Sequence, residues 1–421
     1  MPGGRIEPGG RTGIGGQAMV DTAGQSQGPL SGIRVIDLSA VVSGPFGTTI
    51  LADQGADVIT IEQARTPDLI RQSGPVAASA EGVSAYYATL NRNKRAIALD
   101  LKHPEGKRVL RELVATADVV VQNFRPGALE RLELGWDVLS AINPQLILCS
   151  ISAYGPDGPY AQRPAYDPIL QAVTGYASVQ ATPEGPTMMR TIVCDKVTSL
   201  NVAQSICAAL VARANGAGGQ QIEVAMLDVS VHFLWPDAMW NNTYLDHDSD
   251  VPDLASIYKL QRTSDGWIIV YSLANDAHWK AMCDAFGRPD LLTDTRFDSV
   301  GARVRNGDAT NDVIEAETMT RTTAQLVELL ATAGVPVAPV NDREAMMADP
   351  QVQHRELVVE TVHPSAGRIR QVRPPVRFSR TPTGLHRHAP RFGEHTDEVL
   401  AEVLGYDASM LGTLRDQGAI R

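Results

Sequence analysis

The sequence predicts an α/β protein: a large domain built on an open, mostly parallel, Rossmann-like sheet, with a smaller α+β domain set into it. Three observations lead there. Strand and helix patterns alternate from Leu30 to Ile151, the pattern changes after Gln221, and a Pro-rich stretch from Gly334 leads back toward a final helix. The chain has 421 residues, 43% of them apolar and 20% charged, enough to bury two or three domain cores.

Residues 1–28 are rich in Gly, Arg, Gln and Ser, carry no sustained apolar run, and read as a disordered tail without the apolar segment of a signal peptide. Ile33–Leu38 is a short apolar run expected as a buried strand. Ser39–Pro45 reads as a turn, Phe46–Gln54 as a helix stopped by Gly55, and Asp57–Glu62 as a second strand. Strand, helix and strand in this order form a right-handed parallel crossover. Pro104 opens a helix to about Thr116, followed by strand Asp118–Gln122, a helical stretch Leu134–Ile142 and strand Leu146–Ile151. Together these elements place the large domain at 29–222.

Ile222–Met226 reads as a strand, and Asp228 begins a long helix carrying Trp235 and Trp240. Asp265-Gly266 marks a hairpin between Ile257–Arg262 and Trp267–Ser272. The small domain is therefore expected at 225–335. Residues 336–421 form a connector and a return to the large domain, ending in helix Thr396–Leu404 closed by Gly405.

Net charge is −11 and aromatics are 5%, which argues against nucleic acid as the main partner. No apolar run reaches about 18 residues, so no membrane span is expected. Cys149, Cys194, Cys207 and Cys283 form no C-x-x-C pair and read as buried thiols of a cytoplasmic protein, without zinc or disulfides. The glycine-rich dinucleotide loop, the P-loop, the H-E-x-x-H helix and the G-x-S-x-G elbow are all missing.

Two aspartates stand out. Asp167, in Pro164-Ala-Tyr-Asp-Pro168, has the plain role of an N-cap before a helix. Asp195, in Ile192-Val-Cys-Asp-Lys196, also fits an N-cap. Its apolar approach equally suits a partly desolvated carboxylate nucleophile beside helix N–H groups. Lys94, Arg95, Lys102 and Arg131 are either solvated surface charges or phosphate ligands.

Several segments together are similar to one family. They are Pro29–Leu38 with Gly44-Pro45, Gly55–Glu62, Asn93–Lys102, His103–Gly106, Gln122–Leu129, Tyr154–Pro159, Val224–Asp228, Gly334–Pro339 and Gly393–Leu400. In this order they resemble the class III CoA-transferases, a family of formyl-CoA and carnitine CoA-transferases that also contains α-methylacyl-CoA racemase. The resemblance implies a two-domain subunit in an interlaced homodimer, with CoA bound to a large domain made of the N- and C-terminal parts. The substrates it implies are an acyl-CoA thioester donor and a carboxylic acid acceptor, with no metal and no permanently bound cofactor.

Carried over residue by residue, the family nucleophile falls on Asp195, with Cys194 where the transferases have glycine. CoA contacts fall on Val41, Val42, Leu99, Lys102, Asn123, Phe124 and Arg131. A basic contact falls on Gln63, for which Arg65 can substitute. The glycine-rich active-site loop of the formyl-CoA enzyme has no counterpart in Asp253–Gln261.

Tyr166 stands where the racemase has a histidine base, and a phenol of pKa about 10 is a poor base at neutral pH. Asn275 aligns with a supporting racemase glutamate. The expectation is transfer through an aspartyl anhydride and thioester, with Tyr166 and Asp167 shaping the acyl pocket and the N–H groups after Asp195 binding oxyanions. Racemisation and silent CoA binding are the alternatives.

Overall fold

A computed structural model describes residues 28–76, 82–246, 258–273 and 275–421. The expected tail thus lies outside the described residues except for Gly28, as does most of Asp253–Gln261. The chain divides into two compact units, 1–231 with 357–421, and 232–356. The second unit begins later and ends later than the expected 225–335, taking in most of the Pro-rich connector.

In the first unit, six parallel strands form one sheet. They are β1 (Arg34–Asp37), β2 (Asp57–Glu62), β3 (Arg95–Ala98), β4 (Val119–Gln122), β5 (Ile147–Ser152) and β6 (Gln220–Ala225), in the spatial order β3-β2-β1-β4-β5-β6. The order reverses between β1 and β4, and in such sheets ligands bind beyond the strand carboxyl ends at that point. Strand side chains alternate between faces. Ile36, Ile59, Ile97, Val120 and Leu148 enter one core cluster with Val109, Leu113 and Leu139 of the crossover helices and Val399, Leu400 and Leu414 of the C-terminal return.

The sequence reading assigns no strand to β3. It has only four residues, too few to show a period. It is an edge strand, and the C-terminal segment covers it. The Ala96 N–H donates to His395 Nδ1 at 3.1 Å, the Ala98 N–H to Thr396 Oγ1 at 3.2 Å, and the Arg421 N–H reaches the Ala98 carbonyl at 3.2 Å. These bonds remove free edge groups that would otherwise invite another strand.

Helix α1 spans Ser43–Asp53, three residues earlier than expected. Pro45 fits because first-turn N–H groups have no intrahelical acceptor. Later come α2 (Ala85–Leu90), α3 (Pro104–Ala115), α4 (Ala128–Arg131), α5 (Trp136–Ile142), α6 (Asp167–Val173), α7 (Tyr176–Val179), α8 (Val193–Ala212) and α9 (Met226–Ala238).

Glycine sets how closely α1 meets α8. A Cβ on Gly47 would lie 2.9 Å from Val202 Cγ1 and 3.1 Å from the Ser199 carbonyl oxygen. Ser43 and Gly47 are one turn apart on α1, as Asp195 and Ser199 are on α8, so the two helices run side by side with their N-termini together.

Among the described residues one helix, Val193–Ala217, is long and apolar enough to cross a membrane, with a mean hydropathy of 1.2. Its first part, α8, buries Val193, Val197, Val202 and Ile206, which marks a core helix.

The second unit holds an antiparallel sheet of β7 (Leu260–Arg262), β8 (Trp267–Val270) and β9 (Val337–Pro339). Asp265-Gly266 lies in the β7–β8 turn, as the dipeptide predicts. The Pro-rich connector supplies β9 on the sheet edge, where a missing N–H costs no ladder bond. Ile268, Trp279, Met282, Phe286, Phe297 and Leu330 form this unit's core. The two tryptophans expected on one helix separate. Trp235 is on α9 and 44% exposed, while Trp240 starts a short 3-10 turn after that helix ends.

Candidate active site

Asp195 is not an N-cap. The cap of α8 is Ile192, and Asp195 lies in the first turn, where the helix dipole favours negative charge. Cys194 before it is buried and helical, with no positive φ, so its side chain is accommodated where the resemblance implies a glycine. Burial pushes the Cys194 thiol up to about 11, which keeps it an unreactive neutral group.

The Asp195 carboxylate is gripped from α1. The Ser43 hydroxyl donates to Asp195 Oδ1 at 2.5 Å. Among the described residues Oδ2 has no hydrogen-bond partner. The Asp195 N–H donates to Asp167 Oδ2 at 3.1 Å. Asp167 is itself only 1% exposed and sits at the first position of α6, capped by Tyr166. Its other oxygen accepts from Gln171 Nε2 at 2.6 Å, and the same nitrogen donates to the Thr191 carbonyl at 3.0 Å. Gln171 Oε1 accepts the Met189 N–H at 2.9 Å, so one buried amide ties the loop before α8 to Asp167.

Asp167 therefore caps another helix rather than its own. The N–H groups after Asp195, expected to bind oxyanions, are not free: that of Lys196 donates to the Ile192 carbonyl at 3.2 Å within α8.

Electrostatics single out Asp195. Burial raises its pKa to about 6. The Ser43 hydrogen bond opposes that rise and the Asp167 charge adds to it. Tyr86, on α2, is held protonated, with its pKa raised to about 12 by burial and by the Asp195 and Asp167 carboxylates. Strongly perturbed groups concentrated in one place mark a functional site. Sequence reasoning missed Ser43 and Tyr86, since neither belongs to a local motif. Tyr166 is 62% exposed at the edge of this cluster.

A cavity of about 240 Å³ opens beyond the carboxyl ends of β1, β2, β3 and β4, lined by Leu38, Gln63, Leu99, Lys102, Phe124 and Leu132 among others. Three expected CoA contacts, Leu99, Lys102 and Phe124, thus come together. Asn123 clasps the loop after β1, its side chain accepting the Ala40 N–H at 2.9 Å and donating to the Ala40 carbonyl at 2.7 Å.

Val41 follows at φ 72°, a strained conformation for a β-branched residue, and its N–H is fixed to Asp68 Oδ2 at 2.9 Å. Val42 is buried beside Ile70 and Tyr87. Arg65 and Arg131 do not line the cavity. The Arg65 side chain is 73% exposed and lies 3.6 Å from Asp100 Oδ2, and Arg131 is on α4 next to Leu132.

Lys94 and Arg95 are removed from the list of phosphate ligands. Lys94 is fully buried against Asp37 at 3.0 Å, and Arg95 is paired with Asp57 and Glu402. Asn275, in the second unit, spends its side chain capping the helix that follows, accepting the Ala277 and His278 N–H groups.

The chain is 38% identical over 386 residues to the succinate–glutarate CoA-transferase of Agrobacterium fabrum, covering 89% of this chain and 96% of that protein. It is 34% identical to the succinyl-CoA–L-malate CoA-transferase β subunit of Chloroflexus aurantiacus, covering 93% and 98%. The crystal structure of a CAIB/BAIF family protein from Brucella suis superposes with a TM-score of 0.77 at 33% identity, covering 90% of this chain and 100% of that one. Residues 30–396 match CoA-transferase family III, and the chain belongs to that family.

Proposed function

We propose that this CoA-transferase moves CoA from an acyl-CoA to a free carboxylic acid through a covalent intermediate on Asp195. The observation that carries the reading is the Asp195 carboxylate itself, desolvated, held through one oxygen by Ser43 and through its backbone by Asp167, with the other oxygen uncommitted.

That oxygen attacks the thioester carbonyl, the carbon–sulfur bond breaks, and CoA thiolate leaves a mixed anhydride. The thiolate then attacks the aspartyl carbonyl carbon, giving an aspartyl-CoA thioester. The donor acid departs with one oxygen that came from Asp195. The acceptor carboxylate repeats the sequence in reverse and returns one of its own oxygens to Asp195. All steps interconvert acyl groups at one oxidation level, so no metal or redox cofactor is needed.

The CoA nucleotide is assigned to the cavity bearing Leu99, Lys102 and Phe124. Val41, Val42 and Asn123 are proposed to hold the loop after β1 that carries Ala40 on its wall, and Arg65 and Arg131 to supply charge toward the phosphates. Tyr166 and Asp167 border the acyl group. Relatives that act on succinate, glutarate or malate support short dicarboxylic acids as the substrate class. The enzyme is proposed to work as an interlaced homodimer in the cytoplasm. Exposed Tyr166, with its phenol, supports transfer over racemisation.

The test is trapping. Incubation with succinyl-CoA and hydroxylamine should convert Asp195 to a hydroxamate, read by peptide mass spectrometry. An unmodified Asp195 in protein that binds CoA would overturn the covalent reading.

Because only the ionised carboxylate attacks, transfer should lose about tenfold in rate per pH unit below an acid limb near pH 6. Initial rates between pH 4.5 and pH 8 measure the limb, and a flat profile through about pH 5 contradicts an Asp195 nucleophile of raised pKa.

A further inference from the structure

We propose that Ser43 is a catalytic residue: its hydroxyl reserves Oδ1 of Asp195 as the carbonyl oxygen and donates to the oxyanion formed there whenever the aspartyl carbon is attacked. The inference rests on the covalent reading above and adds a donor that no local motif reveals.

The geometry leaves the Ser43 hydroxyl little else to do. Ser43 is 5% exposed, and the helix it opens has no side-chain cap bond. Apart from Asp195 Oδ1 at 2.5 Å, its oxygen meets Met226 Sδ at 3.7 Å, a weak acceptor. A donated hydrogen bond withdraws electron density from Oδ1, so the uncommitted Oδ2 is the better nucleophile.

Once Oδ2 has bonded to the acyl carbon, Oδ1 becomes the carbonyl oxygen of the anhydride, and later of the thioester. Attack on the aspartyl carbon by CoA thiolate or by the acceptor carboxylate moves an electron pair onto Oδ1. The Ser43 O–H is already at donor distance from that atom. The positive end of α1, whose first residue is Ser43, lies behind it. Collapse returns the pair to the carbonyl and expels the donor acid or the thiolate. The N–H of Asp195, bound to Asp167, is not available for the task.

The groups that face Asp195 are Ser43, Asp167 and Tyr86, so loss of the serine donor leaves burial and a neighbouring carboxylate to govern its charge.

The experiment uses the full chain with succinyl-CoA and succinate carrying heavy oxygen in both carboxylates. In the wild type, heavy oxygen enters the Asp195 peptide. Ser43→Ala should lower kcat by about 100-fold with KM for succinyl-CoA changed by less than about twofold, and should move the acid limb to higher pH. Ser43→Cys keeps nearly the same shape but is a weak donor, and should lose a similar factor with an unchanged melting temperature.

Either variant retaining more than about a third of the wild-type kcat, or losing activity through KM alone, would overturn the role of Ser43. Wild-type enzyme that transfers CoA without heavy oxygen entering Asp195 instead overturns the covalent reading on which the proposal stands.

Discussion

Asp195→Asn should abolish CoA transfer, lowering kcat by at least about 1,000-fold, while the protein stays folded and keeps its affinity for CoA. The amide has the same shape and can still accept from Ser43, so packing around α1 and α8 is preserved. It cannot form an anhydride, because an amide oxygen is a poor nucleophile and its adduct has no leaving carboxylate. Hydroxylamine trapping should vanish at the same time.

The wild-type carboxylate is held partly out of water against a second carboxylate, which raises its pKa to about 6. Its charge therefore opposes folding at neutral pH, and the neutral amide should leave the melting temperature unchanged or raise it. Calorimetry with steady-state kinetics separates the two effects. A variant that is slower and also strongly destabilised would point to a structural role for the carboxylate.

The largest effect on stability is expected at Lys94. Its ammonium group is fully buried and donates to Asp37 Oδ2 at 3.0 Å, to the Pro45 carbonyl at 2.9 Å and to Asn91 Oδ1 at 2.9 Å. Asp37, equally buried, also accepts from Thr48 Oγ1 at 2.6 Å and from the Ser39 N–H at 3.0 Å. Burial lowers the Lys94 pKa, and Asp37 opposes that shift.

One cation thus joins the end of β1, the first turn of α1 and the segment after α2. Lys94→Met leaves the Asp37 charge buried and unpaired, at a cost of about 3–5 kcal/mol. Lys94→Met combined with Asp37→Leu removes both charges and should recover part of that loss. Urea denaturation of the three proteins measures both effects. A loss under about 1 kcal/mol in the single variant would show that water reaches the pair. The Pro45 carbonyl lies two residues from Ser43, so the single variant should also loosen the grip on Asp195 and lower kcat.

The parts of the molecule legible in the sequence are those written in local periods. Apolar runs and helix punctuation place five of the six parallel strands and the helix Thr396–Leu404 with its Gly405 stop; for β1, β2, β4 and β5, burial on both faces makes a strand a continuous apolar run. β3 escapes because a four-residue edge strand, held by side chains of the C-terminal return, carries no period of its own.

At the site, Asp167 and Asp195 are visible as carboxylates in apolar or proline-bounded settings. Their local patterns suggest caps of their own helices. The structure instead makes one hold the backbone of the other across 28 residues.

What the sequence by itself determined is the α/β class, the absence of the common nucleotide and hydrolase motifs, and the acidic groups available for acyl chemistry. These follow from residue type and short-range order. Tertiary structure decided the rest. It brought Ser43 to Asp195 across 152 residues, set Tyr86 beside both carboxylates, and buried Lys94 where sequence left it a possible surface charge. Pairing and desolvation depend on which distant surfaces meet, and close approach of α1 to α8 at Gly47 is a property of two helices rather than of either one.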